Sequence, residues 1–137
     1  MRHVARVAGF TLMELLIAVA IVAILATLAV PGFQDTLMRG RRGDAITSLL
    51  SLQLAQEKWR ANHAEYARLD ELGWADATSL DGHYRLHLRE RSASGFLATA
   101  QPRPAGPQQH DVCGEFALDQ RGPVFAPEYA DATCWRR

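Results

Sequence analysis

The sequence predicts an α+β chain: one long N-terminal α-helix followed by a C-terminal antiparallel β-sheet. Three observations carry this. Residues 10–30 form an almost unbroken apolar run, Ala45 to Trp59 repeat apolar side chains at helical spacing, and residues 83–91 alternate strictly. At 137 residues and 48% hydrophobic, the chain suffices for one domain plus an anchor. Much of the apolar content lies between Phe10 and Phe33, so the remainder has a modest core.

The first element spans about 21 residues from Phe10 to Val30, which as a helix reaches roughly 31 Å, the thickness of a bilayer core. Between Leu15 and Val30 the one polar side chain is Thr27. A cleaved secretory signal would explain the basic start at Arg2 and Arg6, and a plain single-pass anchor would explain the length. Neither explains Glu14. A carboxylate inside a membrane span is costly and marks a functional site by default. No nearby side chain is cationic. A cut after Gly9 would create the missing cation, because Phe10 would then carry a free α-amine about one helical turn from Glu14.

Pro31-Gly32 predicts a kink, since proline removes a backbone donor and crowds the preceding turn. Helical periodicity then resumes, with Ala45, Leu49, Leu52 and Trp59 in one stripe and Ile46 and Leu50 widening it. Gln53, Glu57, Lys58 and Arg60 form the polar side, and the helix is expected to end near Asn62 or His63. Residues 64–82 are an acidic loop with a short helical turn at Leu69 to Leu72. Tyr84, Leu86 and Leu88 then face one way while His83, Arg85, His87, Arg89 and Arg91 face the other, as in a half-buried strand. Ser92 to Gly95 is a turn, and Phe96 to Gln101 a second strand. Val112 to Leu118 is a third strand, Asp119 to Gly122 a hairpin turn, and Val124 to Ala126 a short fourth strand.

Gly9-Phe10-Thr11-Leu12-Met13-Glu14-Leu15, followed by the apolar helix, resembles the class III leader of type IV pilins and type II secretion pseudopilins. The stretch from Cys113 through Leu118-Asp119-Gln120-Arg121-Gly122 to Cys134-Trp135 resembles the ending of PilE-like minor pilins, a group related to a DNA-uptake pilin. The resemblance implies a pilin fold and three segments: a leader at 1–9, a membrane-spanning and filament-core half-helix at 10–33, and a periplasmic head at 34–137 that becomes part of an extracellular pilus. It implies that prepilin peptidase cuts after Gly9 and methylates the Phe10 amine. Glu14 then pairs with the N-terminal amine of an adjacent subunit, and Pro31 sits where pilin helices loosen in the filament. The helix first anchors the subunit in the inner membrane and then packs among other pilins. Arg39, Arg41 and Arg42 follow the span, so charge bias alone does not place the C-terminal side in the periplasm, and orientation rests on the resemblance.

Cys113 and Cys134 are far apart and lack the spacing of a redox or zinc motif; in an exported domain such a pair forms a disulfide. No enzyme site and no cofactor are expected. His83 and His87 in a strand stand about 13 Å apart, too far to share a metal. Formal net charge is zero, from 15 basic and 15 acidic residues, which argues against a generally basic nucleic-acid binder. A local patch remains. Arg85, Arg89 and Arg91, with His83 and His87, point to one side at about 7 Å intervals, close to the phosphate spacing along a single strand, so contact with double-stranded DNA is the sharper reading, and Arg103, Arg136 and Arg137 would extend the patch. The same residues equally describe a solvated sheet face whose charges discourage edge pairing. The expected function is a minor pilin, a structural or priming subunit supporting pilus assembly, adhesion and twitching motility. A DNA-binding pilin for natural transformation and a type II secretion pseudopilin are the alternatives.

Overall fold

The computed structural model describes residues 9–136. Met1 to Ala8 of the expected leader and Arg137 of the expected basic patch lie outside the described residues. The described chain divides between Thr36 and Leu37 into two compact units, and helix α1 (Leu12–Arg60) contributes to both.

In the first unit, α1 is long and apolar enough to cross a membrane. Its large side chains, from Leu12 to Phe33, are exposed. The Thr11 hydroxyl accepts from the Glu14 backbone N–H at 3.2 Å and so caps the helix start. The expected kink at Pro31-Gly32 does not interrupt the helix, which is unbroken through both residues. Proline forfeits a single helical bond, and nearby the Thr36 hydroxyl donates to the Gly32 carbonyl at 3.0 Å.

The second unit packs the later part of α1 against a four-stranded antiparallel sheet in the order β1 (Tyr84–Arg91), β2 (Phe96–Pro102), β3 (Phe116–Asp119), β4 (Gly122–Pro123). Its core joins Ala45, Ile46, Leu49 and Leu52 of α1 to Tyr84, Leu86, Phe96, Phe116 and Leu118. Aromatic edges meet at Tyr66–Phe96 and Tyr84–Phe116, with ring centroids 4.9 and 5.9 Å apart. Leu50 does not widen the buried stripe; it is exposed. The buried side instead takes in Asp44, Ser48 and Gln56. The helix ends at Arg60, and the His63 ring Nδ1 meets the Trp59 carbonyl at 2.9 Å, satisfying one of its last acceptors.

The loop after α1 is fastened by side chains. Gln56 clamps Ala67 with two 2.8 Å bonds, its amide donating to the Ala67 carbonyl and its carbonyl accepting the Ala67 N–H. A 3-10 turn at Asp70–Leu72 is where the short helix was expected. Two strands differ from expectation. The third begins at Phe116 instead of Val112, because residues 111–114 turn around Asp111, whose carboxylate accepts the Cys113 N–H at 3.1 Å. The fourth is Gly122–Pro123 instead of Val124 to Ala126. The Asp119 carboxylate accepts both the Arg121 and Gly122 N–H groups, closing a two-residue turn one step earlier.

Candidate functional site

Gly9, Phe10 and Thr11 precede the helix without regular structure, so the Gly9–Phe10 bond lies in irregular chain just before α1. Phe10 is exposed, as is Glu14. The Glu14 carboxylate makes no ion pair among the described residues. Its own backbone is occupied by the Thr11 cap, but its side-chain charge remains unmatched.

The basic strand is not the single face its alternation suggests. Register between β1 and β2 is regular from Tyr84↔Pro102 to Leu88↔Ala98, then shifts, so that Glu90 opposes Leu97 and Arg91 opposes Phe96. Directly opposed residues share a face of the sheet. Phe96 belongs to the core, so Arg91 lies on the core side of the sheet margin, and its place on the outer face is taken by Glu90. Arg89 is the extra residue of this β-bulge. Both displaced arginines also meet acids: Arg89 Nη2 lies 3.0 Å from Glu115 Oε1, and Arg91 Nη1 lies 3.3 Å from Glu65 Oε2 while donating to the Tyr66 carbonyl at 2.9 Å. Arg85 remains exposed with no ion pair among the described residues. Arg103 is exposed near it, its backbone N–H bonded to the His83 carbonyl and its guanidinium to that of Gly82. Arg85 in β1 and Arg103 just after β2 are thus exposed cations without an ion pair among the described residues. A single-sequence reading has no signal for a bulge in an alternating run.

Cys113 and Cys134 are bonded, with Cα atoms 5.8 Å apart across a separation of 21 residues. Trp135 then packs edge-on against Phe116, centroids 5.6 Å apart, tying the C-terminal loop to the core. Thr133 and the Cys134 N–H bind the Asp131 carboxylate and hold its pKa below the usual range.

Two buried polar centres were not foreseen. Asp111 receives a bidentate fork from Arg42, at 2.8 and 2.6 Å, and a bond from Gln108. Gln108 also donates to the Tyr84 hydroxyl at 3.0 Å, and burial pushes the Tyr84 pKa up to about 12. Asp44, 4% exposed, accepts four bonds: from the Ser48 and Ser79 hydroxyls and from the backbone N–H groups of Asp81 and His83. Gly82, at φ 81°, supplies the left-handed turn between those two donors. The two serines in turn accept from the Leu80 and Tyr84 N–H groups. The one signal in the sequence was Asp44 beside Ala45 with Ser48 four residues on, both on the side of the helix that packs inward. Among the described residues no cluster of three or more His, Cys, Asp or Glu side chains is placed to hold a metal ion.

Residues 4–30 match the family model described as "Prokaryotic N-terminal methylation motif". Residues 31–117, more than half the chain, match the one described as "Type IV minor pilin ComP, DNA uptake sequence receptor". A fimbrial protein of Pseudomonas aeruginosa is 35% identical over 146 residues, covering 92% of this chain and 95% of the relative. A fimbrial protein of Neisseria meningitidis is 38% identical over 77 residues, covering 56% of this chain and 45% of the relative. The type IV major pilin PilA of Myxococcus xanthus is 39% identical over 98 residues, covering 71% and 44%. The chain thus spans under half the length of these last two relatives. Together, the exposed apolar helix behind Gly9-Phe10, the helix-on-sheet head and these matches establish that the chain belongs to the type IV pilin family, in its ComP-like minor pilin group.

Proposed function

We propose that the chain is a minor pilin, made as a membrane-anchored precursor and built into a type IV pilus, where it supports pilus assembly, adhesion and twitching motility. Prepilin peptidase cuts between Gly9 and Phe10 and methylates the new amine. Residues 10–33 hold the subunit in the inner membrane with residues 34–137 in the periplasm, and later enter the filament core with Pro31 at the loosened point. The single observation carrying this reading is Glu14. Its carboxylate stands exposed in the first turns of an apolar helix and lacks a cation among the described residues. The amine of a neighbouring processed subunit would supply one, and in a water-poor filament core leaving the carboxylate unpaired would be far costlier than at a surface. Complementing a deletion strain with Glu14→Ala tests it. The variant should accumulate in the membrane and be missing from sheared pili. Normal incorporation would refute the role given to Glu14, and a deletion that blocked exoprotein release while sparing twitching would favour a type II secretion pseudopilin.

The match over residues 31–117 to a family described as a DNA uptake sequence receptor favours a second reading, in which the head binds double-stranded DNA. Arg85 and Arg103 are its best-placed phosphate contacts, since Arg89 and Arg91 already face carboxylates. Full-length protein in detergent should bind duplex DNA in a salt-dependent manner. Arg85→Ala with Arg103→Ala should weaken binding more than Arg89→Ala with Arg91→Ala. Binding unaffected by the first pair, or no binding at low salt, would exclude this interface.

A further inference from the structure

Three arginines, Arg39, Arg41 and Arg42, stand just beyond the apolar run, where charge bias alone would not place a periplasmic segment, and they have no role in the readings above. Arg42 is engaged by Asp111. Arg39 lines a groove of about 940 Å³ in the head, between α1 and the loops at Leu80, Val112 and Thr133. Charges of both signs meet there. Arg39, Arg136 and Asp81 all line the groove and are exposed, and none makes an ion pair among the described residues. Their backbones are held: the Asp81 N–H is bonded to the buried Asp44, and the Arg136 N–H to the Thr133 carbonyl beside the disulfide. Gly40 and Gly43 leave the helix side bare, although glycine weakens a helix interior; a Cβ at either would meet nothing within 4 Å. Val112, 93% exposed, and Leu80, 60% exposed, add two uncovered apolar side chains.

We propose that this groove binds the phosphoethanolamine headgroup of a membrane phospholipid while the subunit is held in the membrane. The inference rests on the membrane-anchored precursor proposed above. A zwitterion matches the lining. The phosphodiester accepts from the Arg39 and Arg136 guanidinium groups, and the primary ammonium donates to the Asp81 carboxylate. A headgroup without an ammonium would leave Asp81 unmatched, and a choline ammonium has no N–H to donate. Leu80 and Val112 suit the glycerol backbone and first methylenes of the same lipid. The tether supplies the concentration. Arg39 follows Phe33, the last large side chain of the apolar run, by six residues, which keeps it within about 22 Å along any path. Headgroups confined so close to the site act at a high effective concentration, so even a weak site fills. Entry into a filament takes the subunit out of lipid and empties the groove.

Native mass spectrometry tests this on full-length protein in nanodiscs of phosphatidylcholine containing small, equal amounts of phosphatidylethanolamine and phosphatidylglycerol. When the discs are dissociated, one phosphatidylethanolamine should stay bound in preference to the other two lipids. Arg39→Gln with Arg136→Gln should lower its retention by roughly twentyfold. Asp81→Asn should reduce it to the level of phosphatidylcholine. Gly43→Leu, which puts a side chain into the groove, should block retention without lowering the unfolding midpoint. Lys58→Gln with Arg121→Gln, which removes equal charge from the end of α1 and the β3–β4 turn, should change nothing. Equal retention of the three lipids, a preference for phosphatidylglycerol, or an equal loss from the Lys58 and Arg121 pair would overturn the headgroup site and leave the anchor reading intact. Displacement of the lipid by inorganic phosphate at constant ionic strength would also overturn it, in favour of a free-phosphate site. Protein that enters nanodiscs of no composition would overturn both readings.

Discussion

The two units of this chain treat apolar side chains in opposite ways. In the first, Leu12, Leu16, Val22, Leu28 and their neighbours up to Phe33 are exposed among the described residues. In the second, Leu49, Leu52, Tyr84, Leu86, Phe116 and Leu118 are fully buried and enclose satisfied polar groups such as Asp44 and Gln56. The hydrophobic effect acts equally on both, at about 25 cal/mol per Å² of buried apolar area. The function proposed above would cover the first unit with lipid and then with other subunits. The second closes on itself. Substitutions in the first should accordingly change assembly and spare head stability, and those in the second should do the reverse.

The sharpest contrast pairs Asp44→Ala with Glu14→Ala. Removing the Asp44 carboxylate leaves the Asp81 and His83 N–H groups and two serine hydroxyls short of an acceptor, at about 1–3 kcal/mol for each buried unsatisfied group. Denaturant unfolding of full-length protein should show a loss of roughly 4 kcal/mol for Asp44→Ala and none for Glu14→Ala. Equal losses would erase the distinction between the units. The disulfide comes next. Opening a loop closed over 21 residues should cost about 3 kcal/mol in the chain-entropy treatment, so Cys113→Ser with Cys134→Ser, or reduction, should lower the unfolding midpoint. An unchanged midpoint would mean that Trp135 and Asp131 hold the C-terminal loop by themselves.

Alkaline pH probes the same core more gently. The Tyr84 pKa is raised by burial from 10.0 to about 12, so the folded state holds its proton more tightly than the unfolded chain. Its contribution is complete below pH 10 and is lost as pH rises from 10 towards 12, on the order of 2 kcal/mol in all. Tyr84→Phe should flatten that part of the stability profile, and an identical slope in the variant would contradict the assignment. The smallest effect is expected at Arg89, a partly exposed ion pair with Glu115; Arg89→Ala should change stability by less than about 1 kcal/mol.

What the sequence disclosed follows the same division. The long apolar N-terminal helix was readable residue by residue, because length and hydropathy are local properties. The helix-then-sheet order of the head was equally plain from its periodicities. Three features were hidden. The buried Asp44 network depends on loop N–H groups more than thirty residues away. The bulge at Arg89 moves Arg91 across the sheet without altering the alternation of residue types. The turn around Asp111 removes Val112 to Glu115 from a strand their neighbours favour. Each is set by hydrogen bonds between distant segments, to which a pattern along the chain is blind.

The partner proposed for Glu14 is the amine that processing would create. Intact mass and N-terminal peptide mass spectrometry of the protein from sheared pili measures this directly. The expected result is a mature chain beginning at Phe10 and carrying one methyl group on its α-amine. A chain that retains Met1 to Gly9 would leave Glu14 without its partner, and one cut beyond Pro31 would lack Glu14 altogether; either would contradict the filament reading.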